Sequence, residues 1–343
     1  MKVSDTLSPI GLARTTGLLI VVGLFLCGCG VAGSALGLEH PPRPPGTFAT
    51  SAKQALCSDS AHESCDLTQG GKTDNVPVDL PTVHGPCPDF HAGKLIFRPK
   101  GTKERKALVW IGSEARTNDG PLVFYFQGTD MSPRDAIRSL GMNNIRDIEH
   151  MGGMVVSPYP DMSTQYPWFI ANGDDREDDL LLVDEIVACA IQKVGIDTRR
   201  IHATGFSAGG MLVSDLALRR ANYIASTSPQ SGGLSPWNEV PRNAEPENKS
   251  ATMIFYGGKR DSWYHYLYYQ LISARFRDEI VRNGGFAIMC NHGRGHRVPP
   301  KNARNAVWQF FKDHPWNTRP SPYFQGLPPW FPAYCSIRRE SRK

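Results

Sequence analysis

Gly205-Phe206-Ser207-Ala208-Gly209-Gly210 is the stretch whose reading decides the fold. The residues before it, Arg200-Ile201-His202-Ala203-Thr204, read as a short buried strand. Those after it, from Met211 to Arg219, carry apolar residues three and four apart and read as a helix. A serine at such a junction sits where strand and helix backbones crowd together. Gly205 and Gly209 leave space on either side of it, and Gly210 relieves the first helical turn. The G-x-S-x-G pattern is common by chance, but between a strand and a helix it predicts a nucleophile elbow with Ser207 at its apex. The alternative is a Gly/Ser-rich helix cap with no chemistry.

Working outward, residues 94–97 and 107–111 read as opening strands in an antiparallel pair. Residues 121–126, Pro-Leu-Val-Phe-Tyr-Phe, are nearly all apolar, as a strand covered on both faces must be. A short helix over 134–140, a strand at 153–157 stopped by Pro158, and a helix over 178–194 with an acidic start follow. Strands at 200–204, 223–227 and 251–256 come next. A helix over 262–282, a strand at 286–290 and a closing helix over 302–314 complete the pattern. This alternation predicts one α/β domain on a mostly parallel sheet, with right-handed crossovers and helices on both faces.

Serine is a weak nucleophile at its own pKa, so an elbow needs a histidine base and a carboxylate to orient it. Both belong on loops after later strands. Gly257-Gly258-Lys259-Arg260-Asp261 follows the strand at 251–256, which makes Asp261 the expected acid; its other reading is a cap for the helix at Ser262. Cys290-Asn291-His292-Gly293-Arg294-Gly295-His296 follows the last strand and offers the base. Glycines flank the approach to His296 and a proline pair follows it, which favours His296 over His292. The order Ser207, Asp261, His296 is the one such a fold requires. A tetrahedral intermediate also needs backbone N–H donors. Ala208, at the start of the nucleophile helix, supplies one. Thr129 supplies the other from the loop Gln127-Gly128-Thr129, with Gly128 allowing close approach.

Residues 1–29 read as an export signal, in which Lys2 and Arg14 precede a short apolar run from Leu18 to Leu26. The run ends in Leu26-Cys27-Gly28-Cys29, similar to a bacterial lipoprotein box with Cys29 as the lipidated residue. An ordinary secretory signal or an uncleaved anchor is the alternative. A Pro/Gly-rich tether over 30–50 and an irregular, Cys-containing lead-in over 51–90 precede a catalytic domain at 91–315. Residues 316–343 form a Pro/aromatic strap and a basic tail. Its aromatics, among them Tyr323 and Trp330, are read as packed over the domain or as a sugar or polymer contact. The net charge of +5 is partly a tail effect, and no basic stripe interleaves with aromatics, so nucleic acid is not an expected partner. Beyond the signal, Cys57, Cys65, Cys87, Cys189, Cys290 and Cys335 permit three disulfides in an exported chain. Cys57 with Cys65 and Cys290 with Cys335 are candidate pairs. Their spacing is not that of a zinc site, and no metal, cofactor or obligate protein partner is expected.

Ile196-Asp197-Thr198-Arg199-Arg200-Ile201 leading into residues 205–211, together with Gly293-Arg294-Gly295-His296, resembles the secreted esterases related to polyhydroxybutyrate depolymerases and feruloyl or acetylxylan esterases. The resemblance spans residues 90–315. It implies the α/β-hydrolase fold, with Ser207 as nucleophile, Asp261 as orienting acid and His296 as base. It also implies a serine carboxylester hydrolase working through an acyl-enzyme on small-acyl, aromatic or hydroxyalkanoate esters. Tyr166-Pro167-Trp168-Phe169 resembles a family loop near the acyl pocket. Trp168 and Phe169, with Gln127 and Trp263, are therefore expected around the substrate, the Gln127 side chain chiefly holding its loop. Two positions depart from the family: Gln127 replaces its usual histidine, and Arg297-Val298-Pro299 stands where tryptophan usually follows the base. Neither removes a catalytic group. A serine peptidase on the same scaffold and a non-catalytic, surface-anchored binding protein are the other readings. A complete Ser, Asp and His set argues against the second of these.

Overall fold

The structure, a computed structural model, describes residues 75–337 apart from 78, 175 and 238–247. The expected signal, Cys29, the tether and the Cys57/Cys65 pair lie outside the described residues. In chain order the strands and helices are β1 (Gly93–Phe97), β2 (Arg105–Ile111), β3 (Leu122–Phe126), α1 (Ala136–Leu140), α2 (Met142–His150), β4 (Met154–Pro158), α3 (Asp178–Lys193) and β5 (Ile201–Phe206). Next come α4 (Ala208–Arg219), β6 (Ser226–Gln230), β7 (Ala251–Tyr256), β8 (Ser262–Trp263), β9 (Leu267–Tyr268), α5 (Tyr269–Arg282), β10 (Phe286–Asn291), α6 (Asn302–Asp313) and β11 (Cys335–Ser336).

Nine strands make one sheet in the order β1-β2-β4-β3-β5-β6-β7-β10-β11. From β4 to β10 in this order the neighbours are parallel, while β1, β2 and β11 join antiparallel at the edges. This is the mostly parallel α/β sheet that the sequence pattern predicts, in the α/β-hydrolase fold that the resemblance implies. The all-apolar β3 shows why both faces must be covered. Leu122, Phe124 and Phe126 enter one core with α3 and α4, and Val123 enters the other with α2 and α6. Phe124 is fully buried, and truncating such a side chain to alanine costs about 3–5 kcal/mol.

Three elements differ from the sequence expectation. The helix at 134–140 is only its second half, and Gly141 (φ 86°) turns the chain into a further helix, α2, that buries Ile145 and Ile148. The strand expected at 223–227 is β6, three residues later. Its sequence Ser-Thr-Ser-Pro-Gln has no apolar signal, yet all five residues are buried. The helix expected from Ser262 starts only at Tyr269. Residues 262–268 form the β8–β9 hairpin instead, because Tyr264 and His265 take φ of 44° and 62° at its turn.

Two disulfides tie peripheral chain to the sheet layers. Cys290–Cys335, one of the candidate pairs, joins β10 to β11, and Cys87–Cys189 ties the lead-in to α3. In the C-terminal strap Tyr323 and Phe331 are buried against the α6 core, whereas Phe324 and Trp330 stay exposed. No helix among the described residues is long and apolar enough to cross a membrane.

Candidate active site

Ser207 sits at the turn from β5 into α4 with φ 56° and ψ −120°. A non-glycine residue held there stores on the order of 1–3 kcal/mol of strain. The turn is fixed on both sides: Ser207 N–H donates to the Gln230 carbonyl at 2.8 Å, and Met211 N–H donates to the Ser207 carbonyl at 3.0 Å. The glycines answer to contact rather than to backbone angle. A Cβ on Gly209 would lie 2.1 Å from the Phe126 carbonyl oxygen, and one on Gly205 would lie 2.6 Å from that of Gly209. Only hydrogen fits.

The structure brings Ser207, His296 and Asp261 together although they lie on three separate loops. His296 Nε2 is 2.9 Å from Ser207 Oγ, and His296 Nδ1 is 2.7 Å from Asp261 Oδ1. An ionised carboxylate can only accept, so Nδ1 carries the proton and Nε2 is left to accept from the serine hydroxyl. Asp261 is fully buried and does not cap a helix. Its second oxygen accepts from Ser231 Oγ at 2.8 Å and from Gly257 N–H at 2.7 Å. The base loop is pinned beside it, Gly295 N–H donating to the Gly257 carbonyl at 2.9 Å. His292 does not reach the serine. Its Nδ1 accepts from Arg294 N–H, and burial pulls its pKa down.

Sequence reasoning missed Tyr269, the first residue of α5. Its hydroxyl lies 3.1 Å from Ser207 Oγ, and its ring stacks on His296 with centroids 4.4 Å apart. Burial pushes the phenol up to about 12, and with the Ser207 proton directed to His296 Nε2 the Tyr269 hydroxyl is the one left to donate to Oγ. Phe206 stacks on His296 as well, at 4.9 Å. Ser231 was also missed. The Ser231-Gly232-Gly233 run after β6 was the available signal for a tight turn against Asp261.

Ser207 opens onto a cavity of about 320 Å³. Thr129 and Ala208, the expected oxyanion donors, line it beside Ser207, and a Cβ on Gly128 would stand 3.0 Å from Ser207 Cβ. Trp263 is in the wall as expected, joined by Tyr166, Trp237, Tyr264, Tyr266 and Tyr269. Gln127, Trp168 and Phe169 are not, and the pocket expectation is corrected there. The Trp168 indole turns inward, donates to the Gln127 carbonyl at 2.8 Å and packs edge-on against Phe126. Phe169 N–H donates to Asp179 at 2.8 Å, and Asp179 is paired with Arg105 at 3.0 Å in the core. Burial raises the Asp179 pKa while Arg105 opposes it. Together these contacts bury Trp168 and Phe169 and leave Tyr166 and Ala171 of the same segment facing the cavity. Gln127 is 1% exposed, and its backbone carbonyl, not its side chain as expected, makes the contact to Trp168; the side-chain oxygen Oε1 is buried without a partner.

No family profile and no curated protein sequence matches the chain. Solved structures do match it. A serine-to-alanine variant of pOPH in complex with pNPB superposes with a TM-score of 0.60 at 17% identity, over 75% of this chain and 96% of that one. A serine-to-cysteine variant of pOPH with DMSO gives 0.59 at 18%, over 74% and 95%. Native sOPH gives 0.54 at 19%, over 76% and 97%. The likeness is one of fold, the α/β-hydrolase fold, and within it Ser207, His296 and Asp261 stand in one hydrogen-bonded line.

Proposed function

We propose that the protein is a serine carboxylester hydrolase, with Ser207 as nucleophile, His296 as base and Asp261 as orienting acid. The observation that carries the proposal is the unbroken hydrogen-bond relay from Ser207 through His296 to Asp261 at the mouth of an aromatic-walled cavity. In this mechanism Ser207 Oγ attacks the ester carbonyl as His296 Nε2 takes its proton. The carbonyl oxygen becomes an oxyanion held by the Ala208 and Thr129 backbone N–H groups. His296 returns the proton to the departing alcohol, and the acyl group is left on Ser207. Water activated by the same imidazole then attacks the acyl-enzyme and releases the acid.

The cavity indicates the acyl group. An engineered cavity of about 150 Å³ holds benzene, and the one here, about 320 Å³, has room for a ring and a short arm. Six aromatic side chains line it, so compact aromatic acyl groups of the cinnamoyl kind suit it best and short alkanoyl groups fit loosely. Two disulfides favour an oxidising compartment, in keeping with export and with lipid attachment at Cys29 as part of the same proposal.

The test is hydrolysis of p-nitrophenyl acetate, butyrate and cinnamate by the wild type and Ser207→Ala. The expected result is a kcat/KM highest for cinnamate and a loss of at least about 10³-fold in the variant. A variant keeping a tenth of the activity would overturn the serine mechanism.

A further inference from the structure

The loops that bring Asp261 and His296 to the site also carry Lys259, Arg260, Arg294 and Arg297, all exposed. Among the described residues none of the four makes an ion pair. Surface arginines elsewhere do: Arg98, Arg176, Arg199 and Arg282, for example, each sit on a nearby carboxylate. The two loops lie side by side, since Gly295 N–H donates to the Gly257 carbonyl at 2.9 Å and the Arg260 carbonyl would lie 3.4 Å from a Cβ on Gly295. Between Tyr256 and Lys301 the acids are Asp261, Asp278 and Glu279. Asp261 is buried and committed to His296, Ser231 and Gly257. Asp278 and Glu279 lie on α5, engaged by Arg277 and Arg282. The exposed acid Asp130 belongs instead to the loop after β3, so unpaired positive charge gathers on the Asp261 and His296 loops.

Chain geometry keeps these charges close to the reaction. Arg297 adjoins His296, and Arg294 is two residues away, at most about 7 Å along the chain. The Debye length is about 10 Å at 0.1 M salt and about 30 Å at 0.01 M, so their charge reaches the site most strongly at low salt. His296 delivers its proton to the leaving oxygen, so the alcohol portion of the ester must pass the loop that carries this positive charge. The cavity beside Ser207 is lined by neutral side chains, six of them aromatic, and offers no cation. Building on the esterase reading, we infer that the alcohol portion of the substrate carries a carboxylate, which Lys259, Arg260, Arg294 and Arg297 attract to the Asp261 and His296 loops.

The test compares two acetyl esters of equal shape, those of 4-hydroxybenzoate and of the neutral 4-hydroxybenzamide. At about 10 mM salt, where screening is weak, the anionic ester should have a kcat/KM about fivefold higher, and the ratio should fall toward one at a few tenths molar. The Arg294→Glu/Arg297→Glu double variant should bring the low-salt ratio below one. A wild-type ratio of one or less, a ratio insensitive to salt, or an unchanged ratio in the double variant would overturn the inference. If the double variant does not fold, Arg260→Gln is read in the same way, with a drop in the low-salt ratio expected. If neither ester is cleaved, the esterase reading fails separately. The charge inference is then read from the binding of free 4-hydroxybenzoate and 4-hydroxybenzamide, followed by tryptophan fluorescence. Tighter, salt-sensitive binding of the anion supports it, and equal binding overturns it.

Discussion

Replacing Asp261 by asparagine isolates one link of the proposed mechanism without changing its shape. Two donors, Ser231 Oγ–H and Gly257 N–H, converge on Oδ2 at 2.8 and 2.7 Å. The second is a backbone group that cannot reorient, so the asparagine must present its carbonyl oxygen to it. Its NH₂ then faces His296 Nδ1, where Oδ1 now accepts at 2.7 Å. The imidazole is forced to carry its proton on Nε2, the nitrogen 2.9 Å from Ser207 Oγ, and can no longer accept one from the serine. A wrong tautomer of this kind costs about 10⁴ in kcat, equivalent to about 5.4 kcal/mol of transition-state stabilisation. The assay is steady-state hydrolysis of p-nitrophenyl butyrate at pH 7.5, with near-UV circular dichroism to establish that the variant is folded. Ser231→Ala serves as the comparison. It removes one donor, leaves the tautomer unchanged and should lose no more than about tenfold. A folded Asp261→Asn protein with more than a tenth of the wild-type kcat would refute the reasoning, because the carboxylate would then not be setting the proton's position.

Cys335→Ser opens a bridge spanning 45 residues, whose loop entropy is worth up to about 4 kcal/mol. Because the Tyr334 carbonyl, just before β11, also accepts from Asn291 N–H beside the His296 loop, kcat should fall more than the melting temperature suggests, and an unchanged kcat in the folded variant counts against this coupling. His314 is buried with its pKa held down to about 4 by desolvation, against about 6.5 in the unfolded chain. Its stabilising contribution is therefore present above pH 6.5 and lost as pH falls toward 4, by up to about 3 kcal/mol. Urea midpoints at pH 4.5 and 7.5 should differ less in His314→Gln than in the wild type, and equal differences would remove His314 as the cause. Tyr269→Phe keeps the ring stacked on His296 and deletes the hydroxyl beside Ser207. One net hydrogen bond predicts a two- to roughly tenfold fall in kcat/KM, and a loss above 100-fold would mean that the phenol acts on the transition state instead.

The parts of this site legible in the sequence are those that obey steric or topological rules. An elbow needs glycines where backbones meet, and the later strands of the sheet must deliver the acid and then the base, so Ser207, Asp261 and His296 follow from local pattern and order. Buried strand β3 was legible for a similar reason, its unbroken apolar run having no other use. The parts that were not legible depend on contacts between distant segments. Trp168 and Phe169 are expected at the pocket through the family resemblance of their segment, but Asp179 and the Gln127 carbonyl turn them into the core. Tyr269 was hidden in what reads as mid-helix, because nothing in Tyr264-His265 signals a left-handed turn as asparagine-glycine would. Strand β6 was misplaced because its partners for hydrogen bonding, and not its own hydrophobicity, make it a strand.

That polar strand has a consequence for how errors propagate in this molecule. β6 lies between the strand that runs into Ser207 and the strand that leads to Asp261, and it contributes neither. An apolar strand in its place could slide along its neighbours by two residues and still bury grease against grease. Here Ser226 meets His202, Thr227 meets Thr252, Ser228 donates to the Met253 carbonyl, and Gln230 donates to Ser139 and Thr204. Any slip would strand several buried hydroxyls at once, at about 1–3 kcal/mol each. The strand therefore works as a keyed spacer that admits one alignment. Substitutions such as Ser228→Val, which a core of ordinary grease would tolerate, would show themselves first as lost turnover, with the fold still standing.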